Sequence, residues 1–514
     1  MTNVALVSIV HLLIYIIFTD SLTYADFATG SNTTERTDRR RALYGPDAPP
    51  EHPIGFLEEA PNGESTNGTF SLGNSGETGP KSCALSSTLF VVVYVAYLTE
   101  PVSADVVQGQ LFQYASGVFS PYGDEFTIAT SIQVNIVCLK AGRFIVFYND
   151  GDETNGQSFV VSPANLPTSP VTVGSSFVAT TADLYDSSFT LLSDTRFLAL
   201  SSDDALRITG QIFDVVDGIV KRRGAEFEIQ AESEGVENYA PGATRLSSEQ
   251  FAVTWSQFKH PPDETWYAVV QVFRVTNSLN PTAVPITEKH TLDEAELGED
   301  TYSDLSNVIR ISDNSFGVMC WAWKTPDQTI HSAVITYQLS KTGSKAKKNY
   351  ELIQKGKFIS PLASSSVWLV WSPPIAAVRK NTRFTTVFSQ NPVPEENYVT
   401  ISEADINDGN INVQRVFESE AIRSLAKDAV PTSILTLDTR TVVVFWVDDT
   451  QGYTGGQVLR DPSPVTTCTP EAIDPATSPC QKPSTSKVAV SIHVTSENGS
   501  QQRYPTSLLT HRNS

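Results

Sequence analysis

Leu192-Ser193-Asp194-Thr195-Arg196-Phe197-Leu198-Ala199-Leu200-Ser201, followed by Gly210-Gln211-Ile212-Phe213, reads as a turn feeding an apolar strand and then a second strand. Ser, Asp and Thr between the aliphatic and aromatic residues are turn formers. A near-continuous apolar run such as Phe197–Leu200 suits a strand covered on both faces. The same offset, an aliphatic residue followed five positions later by an aromatic or β-branched one, recurs along most of the chain. The pairs are Leu85/Phe90, Leu139/Phe144, Leu192/Phe197, Leu246/Phe251, Ile311/Phe316, Leu362/Val367 and Leu437/Val442. Successive first members lie 54, 53, 54, 65, 51 and 75 residues apart.

A second shared element follows: Gly109-Gln110-Leu111-Phe112, Gly156-Gln157-Ser158-Phe159, Gly210-Gln211-Ile212-Phe213, Val270-Gln271-Val272-Phe273 and Gly456-Gln457-Val458-Leu459. The fifth and sixth units keep only approximations, Ile335–Leu339 and Thr386–Phe388. A third strand comes after a glycine turn at Gly123…Phe126 and Gly224…Phe227, and a fourth leads into the next unit. A period near 50 residues with four strands per unit is the sequence sign of a propeller. The expected fold is all-β: a seven-bladed β-propeller over 83–496. The strand Val488–Val494 is expected to pair in the first or last blade and close the ring. A row of sandwich domains is excluded, because each would need about 100 residues.

Around the repeats, Val4–Phe18 is an apolar run of 15 residues broken only by Ser8 and His11. It is too short to span a bilayer and fits a signal peptide over 1–25. Residues 26–82 are polar and rich in Gly, Ser, Asn and Pro, which predicts a disordered linker or pro-segment. It holds the basic island Arg36, Arg39, Arg40 and Arg41, and Arg41-Ala42-Leu43 resembles short Arg-x-Leu sorting motifs of some protist secreted proteins. Residues 497–514 read as a flexible tail. Sequons stand at Asn32, Asn67 and Asn498, so a secreted glycoprotein is expected. The oxidising compartment permits disulfides: Cys468 with Cys480 across a Pro-rich loop, and Cys83 with Cys138 between adjacent blades. Cys320 is left as a buried free thiol.

The net charge of −21 opposes binding to nucleic acid or to anionic membranes, which need a basic surface. The loop Asn149-Asp150-Gly151-Asp152-Glu153 offers Asp150, Asp152 and Glu153 as calcium ligands, though the same residues are those a hairpin turn needs. Asp448-Asp449 opens a second acidic loop. No other cofactor is implied, and P-loop, GxGxxG and Gly-x-Ser-x-Gly motifs are absent. Trp255, Trp321, Trp371 and Trp446 end the repeat strands and read as core. The acidic stretches Thr291–Asp300 and Glu395–Asn412 read as inserted loops, which often carry binding function on a rigid scaffold.

Phe90-Val-Val-Val-Tyr94, Gly109-Gln-Leu-Phe112 and Gly123-Asp-Glu-Phe126 resemble the repeats of certain large bacterial secreted proteins and adhesins. More distantly they are similar to the FG-GAP repeats of integrin-type receptors. The resemblance covers about 85–460. It implies an extracellular propeller, often adhesive and sometimes calcium-binding, although the alternating Asp residues of integrin-type calcium loops are missing here. The expected work is extracellular binding or adhesion to a protein or glycan, without catalysis. A propeller glycan hydrolase would need two carboxylates at the central opening, and a structural component would show a plugged one.

Overall fold

The computed structural model describes most of residues 69–460, with the short strands Glu58–Glu59, Val494–Thr495 and Gln501–Gln502. In chain order, β1 is Glu58–Glu59 and β2 Thr69–Asn74. Blade 1 holds β3 (Lys81–Ala84), β4 (Leu89–Leu98), β5 (Ala104–Ala115), β6 (Val118–Pro121) and β7 (Phe126–Thr130). Blade 2 holds β8 (Val134–Cys138), β9 (Arg143–Asp150), β10 (Glu153–Val160) and β11 (Val171–Thr180). Blade 3 holds β12 (Ser187–Ser193), β13 (Arg196–Ser202), β14 (Ile208–Val216) and β15 (Ile219–Gln230). Blade 4 holds β16 (Val236–Arg245), β17 (Gln250–Lys259), β18 (Thr265–Val275), β19 (Ala283–Pro285) and β20 (His290–Leu292). Blade 5 holds β21 (Thr301–Ser312), β22 (Ser315–Lys324), β23 (Thr329–Thr342) and β24 (Asn349–Ile359). Blade 6 holds β25 (Ile375–Arg379), β26 (Arg383–Val393), β27 (Glu396–Asn407) and β28 (Asn410–Glu418). Blade 7 holds β29 (Ala429–Thr436), β30 (Thr441–Asp448) and β31 (Tyr453–Arg460), completed by β1 and β2. The last short pair is β32 (Val494–Thr495) with β33 (Gln501–Gln502).

Each blade is an antiparallel meander, and the first strands β3, β8, β12, β16, β21, β25 and β29 touch in cyclic order, with β29 back against β3. The chain is a seven-bladed β-propeller. Its core is divided among the seven interfaces between blades: Phe144 and Val91 share one cluster, Phe197 and Phe147 the next, Trp255 and Leu198 the third. Alternate residues of each second strand therefore serve opposite neighbours, which is why those strands read as unbroken apolar runs.

The Gly-Gln element has a steric cause. A Cβ on Gly109, Gly156 or Gly210 would overlap the ring of Phe126, Phe177 or Phe227 from the outer strand. The neighbouring glutamine reaches into the bulge beside that ring. Gln110 Nε2 donates to Leu111 O at 2.8 Å and Gly123 O at 3.1 Å, and Gln211 Nε2 to Ile212 O at 2.8 Å and Arg223 O at 3.3 Å. The bulge turns on Gly123, Gly174 and Gly224, whose φ values of 77°, 72° and 75° favour glycine. Buried carbonyls that the bulge removes from the ladder are thus satisfied by a side chain.

The ring closes differently from the sequence expectation. Blade 7 takes its outer strand from the N-terminal side: β2 pairs with β31, placing Phe70 opposite Gly456, the register position of Phe126 opposite Gly109. Residues 69–74 and 81–82 are therefore paired strand rather than linker, and the propeller begins ahead of residue 83. Of the strand expected to close the ring, Val488–His493 lie outside the described residues, and Val494 pairs with Gln502. The physical reason is proximity. β2 lies a few residues ahead of β3, and β3 is held against blade 7 by Lys81 Nζ donating to Thr432 O (3.0 Å), by a hydrogen bond between the Ser82 and Ser433 hydroxyls (3.0 Å), and by Thr432 Oγ1 donating to Pro80 O just ahead of it (3.0 Å). On its other side β3 is joined to β8 by the disulfide Cys83–Cys138, with Cα atoms 5.7 Å apart.

Blade 6 corrects a second expectation. Leu362, Val367 and Trp371 lie outside the described residues, and Thr386–Phe388 belongs to the second strand, β26, rather than the third. The five-residue offset falls on Arg379/Phe384. Arg379 occupies the aliphatic position, is 1% exposed, and pairs with Glu403 of β27, which is 3% exposed. An arginine cannot be recognised by an apolar pattern. Glu396–Asn407 is likewise a ladder strand and not an inserted loop. Trp255 and Trp446 are buried at equivalent positions, whereas Trp321 is one residue out of phase and Cys320 takes that place. Burial pushes the Cys320 thiol up to about 12, with the charge of Asp304 adding to it.

Arg379→Leu restores the repeat pattern yet is expected to destabilise by about 3–5 kcal/mol, because Glu403 is left buried without its cation. The double variant Arg379→Leu/Glu403→Leu is expected to recover most of that loss. Denaturant midpoints of the three chains check this, and a single variant as stable as the parent would refute it. A chain starting at residue 76 is expected to melt earlier and to self-associate through the open edge of β31, while one starting at residue 52 keeps both strands and behaves as the parent. Melting curves and size-exclusion profiles decide; equal behaviour of the two truncations would remove β2 from ring closure.

Candidate functional site

Because the strands of a blade alternate in direction, the connections between blades and the turns between second and third strands emerge at one end of the ring. Asn149 and Asp150 at the end of β9, Asp448 at the end of β30, Asp293 after β20, and Asp183 and Asp186 ahead of β12 all lie there. On this end the chemistry-bearing side chains concentrate at blades 3 and 4.

In blade 4 the backbone N of His260 donates to Gly235 O at 2.9 Å. Glu237 stands opposite Phe258, and Phe258 opposite Trp266, so the three side chains cross one face of the sheet in a row. Tyr239, two residues beyond Glu237, shares that face. The rings of Phe258 and Trp266 are 4.8 Å apart, those of Tyr239 and Trp266 5.7 Å, and the His260 ring meets the Phe258 edge at 5.2 Å. Tyr239 donates its hydroxyl to Glu237 Oε2, and His260 Nε2 lies 2.9 Å from Glu237 Oε1. Glu237 keeps 26% of its side chain exposed and His260 45%, so the row is open to solvent. Burial, then hydrogen bonding to Glu237 and the charges of Glu237 and Asp186, push the Tyr239 phenol far above its usual value.

Asp186 comes from the connection between blades 2 and 3. Burial raises its carboxyl to about 6, the charge of Asp183 adds to this, and a hydrogen bond from the Ala240 backbone opposes it. Asp183 is positioned by Asn149, whose Nδ2 donates to Asp183 Oδ1 at 3.1 Å and to Gln133 Oε1 at 2.9 Å, while Leu184 N donates to Asn149 Oδ1 at 3.0 Å. Asn149, at the end of β9, thus positions Asp183, whose charge acts on Asp186.

The calcium reading of that turn gains no such geometry. Asp150 and Glu153 are Cα partners across the β9–β10 hairpin and both are exposed, and Asp152 lies outside the described residues. Among the described residues no group of three His, Cys, Asp or Glu side chains is placed to hold a metal. Asp448 is fully buried. Asn32, Asn67, Asn498, Cys468 and Cys480 lie outside the described residues. None of Asp183, Asp186, Glu237, Tyr239, Phe258 or Trp266 stands out as a site in the sequence. The available signal was Phe258 and Trp266, aromatic residues beyond the end of the repeated strand.

No protein-family model and no curated protein matches the chain. Among solved structures it is similar to the N-terminal domain of Nup159, at 10% identity over 80% of this chain and 96% of that one, with a TM-score of 0.38. The β-propeller domain of the Trilobed protease from Pyrococcus furiosus gives 9%, 75%, 94% and 0.38 in the same terms. A Trypanosoma rangeli sialidase in complex with the inhibitor DANA gives 9%, 65%, 56% and 0.35. Similarity at this level carries no argument about function, and the site stands on its own geometry.

Asp186 tests the electrostatics. Its carboxyl, pushed up to about 6 from the ordinary 3.8, binds more protons in the folded state between those limits, so stability falls as pH rises through them. Full ionisation costs about 3 kcal/mol by the usual conversion, reduced to ~1–2 kcal/mol by solvent screening. Asp186→Asn is therefore expected to raise the melting temperature at pH 7.5 and to leave it unchanged near pH 3.5. A lower melting temperature at pH 7.5 would show the carboxylate to be a structural requirement.

Proposed function

We propose that this chain is an extracellular glycan-binding propeller whose ligand lies at the interblade end of blade 4, without chemical turnover. The observation that carries the reading is the half-exposed row Glu237–Phe258–Trp266 with Tyr239. In the same sheet Trp255 and Phe251, on the other face, are fully enclosed. An aromatic row with a few oriented polar groups is the usual make-up of a ligand site. The flat face of a pyranose would lie on Trp266, with hydroxyls directed to Glu237 and His260. The apolar N-terminal run, the sequons and the disulfide Cys83–Cys138 support a location outside the cell.

A second reading, glycan hydrolysis, is favoured by the carboxyl of Asp186, raised by burial and by the charge of Asp183, since acid–base cleavage uses two carboxyl groups of which one is held raised. Both readings are tested on one oligosaccharide panel. Binding without release of reducing ends is expected, and Trp266→Ala is expected to weaken it about tenfold or more while Trp266→Phe retains it. Reducing-end release abolished by Asp186→Asn would establish the hydrolase instead. Binding indifferent to Trp266 would remove the site.

A further inference from the structure

We propose that residues 219–223, the first half of β15 in blade 3, are a docking edge for an extended segment of a partner protein in which aliphatic residues adjoin a run of carboxylates. The β14–β15 turn emerges at the end of the ring opposite the interblade connections, so this surface is separate from the aromatic row and independent of the glycan reading. The first observation is the sign of the charge. The chain carries −21, yet β15 opens with Lys221, Arg222 and Arg223. Arg196, Asp214 and Lys221 stand in one row across β13, β14 and β15. Asp214 holds both arginines of that face: Arg196 Nε donates to Oδ1 at 2.8 Å and Arg223 Nη1 to Oδ2 at 2.7 Å. Burial opposes ionisation of Asp214, but the hydrogen bonds and charges of the two arginines outweigh it and hold its carboxyl below the ordinary value. One carboxylate thus fixes two guanidinium groups. Lys221 is exposed and has no ion pair among the described residues. Arg222, on the other face, donates to Val178 O at 3.3 Å and is also exposed. With Asp217 in the turn, these four cations meet only two carboxylates.

The second observation is apolar. Of the six large apolar side chains left exposed among the described residues, three sit at this rim. Val216 and Ile219 stand opposite each other at the β14–β15 turn, 55% and 48% exposed, on the face that carries Asp214 and Lys221. Val171, 47% exposed, opens the outer strand of blade 2, and Val173 on the same strand lies so near the turn that a Cβ on Gly218 would overlap it. Single exposed aliphatic residues are ordinary, whereas a cluster rimmed by charge marks an interaction surface.

The third is the edge itself. β15 ends its sheet, and its outer side has no ladder partner among the described residues. Proteins guard such edges with charges that repel further strands. In a chain of −21 the repelling sign is negative, as at the exposed Glu226 and Glu228 in the far half of β15. Cations at 221–223 attract an acidic strand instead. A segment added beside 219–223 takes main-chain hydrogen bonds from β15, sets an aliphatic side chain on Ile219 and sets carboxylates against Lys221, Arg222 and Arg223.

The test is fluorescence anisotropy on the full chain. The probes are two labelled short peptides that join valines to glutamates, one in each order, with serine-for-valine and backbone N-methylated controls. A sulfated oligosaccharide and vesicles of anionic phospholipid complete the set. One valine–glutamate peptide is expected to bind about tenfold tighter than either control, and more weakly as salt is added. Lys221→Glu/Arg222→Glu is expected to weaken it about tenfold or more. Ile219→Ser weakens it several-fold, and Trp266→Ala leaves it unchanged. The substituted side chains are exposed, and an unaltered melting temperature confirms that each variant folds. Equal binding of the serine peptide or of the sulfated oligosaccharide would reduce the surface to an anion patch and overturn the proposal. Equal binding of the N-methylated peptide would overturn strand addition. Vesicles held through Lys221 with no peptide bound, or peptide binding indifferent to Lys221→Glu/Arg222→Glu, would overturn the proposal outright.

Discussion

A four-stranded sheet has two apolar faces, and in this protein each face is covered only by the next blade. The stability of every blade therefore depends on an unbroken ring, and the ring depends on the seam between blades 7 and 1. There the chain joins ends hundreds of residues apart. β2 completes the sheet of blade 7, β3 is hydrogen-bonded to β29, and Leu72 from β2 packs into the cluster that holds Phe90 and Phe445. The disulfide Cys83–Cys138 fixes the other side of the same short strand. Removing one of these contacts opens an edge and two apolar faces together, a far larger loss than its own hydrogen bonds.

Within the blades, local sequence and packing agree. The Gly-Gln element makes room for an outer-strand aromatic and supplies the amide that satisfies the resulting bulge, so two residues solve a steric and a polar problem at one position. Blade 6 solves the anchor position differently, with a buried Arg379–Glu403 pair in place of an aliphatic side chain. Such a pair adds little net stability but tolerates the loss of either partner poorly.

The candidate site lies where this economy is relaxed. At the interblade end of blade 4, Phe258 and Tyr239 pack on Trp266, and all three stay partly exposed. Asn149 holds Asp183, the Ala240 backbone donates to Asp186, and the charge of Asp183 acts on Asp186 unfavourably. An arrangement that costs stability and is built from several elements is the kind of arrangement a binding surface requires.

The recurring offset Leu192/Phe197 and its counterparts were enough to reveal strand direction, blade number and two-sided burial, because each is a local consequence of turn chemistry and period-two packing. The pairing of Cys83 with Cys138 followed from equal positions in adjacent repeats. The closing strand, the sixth anchor and the site were decided only by the tertiary structure. β2 looks like polar linker until β31 offers it an edge. Arg379 is apolar in role only because Glu403 neutralises it. Glu237, Trp266 and Asp186 come from different strands and different blades, and no local pattern marks side chains whose meaning is their distance from one another.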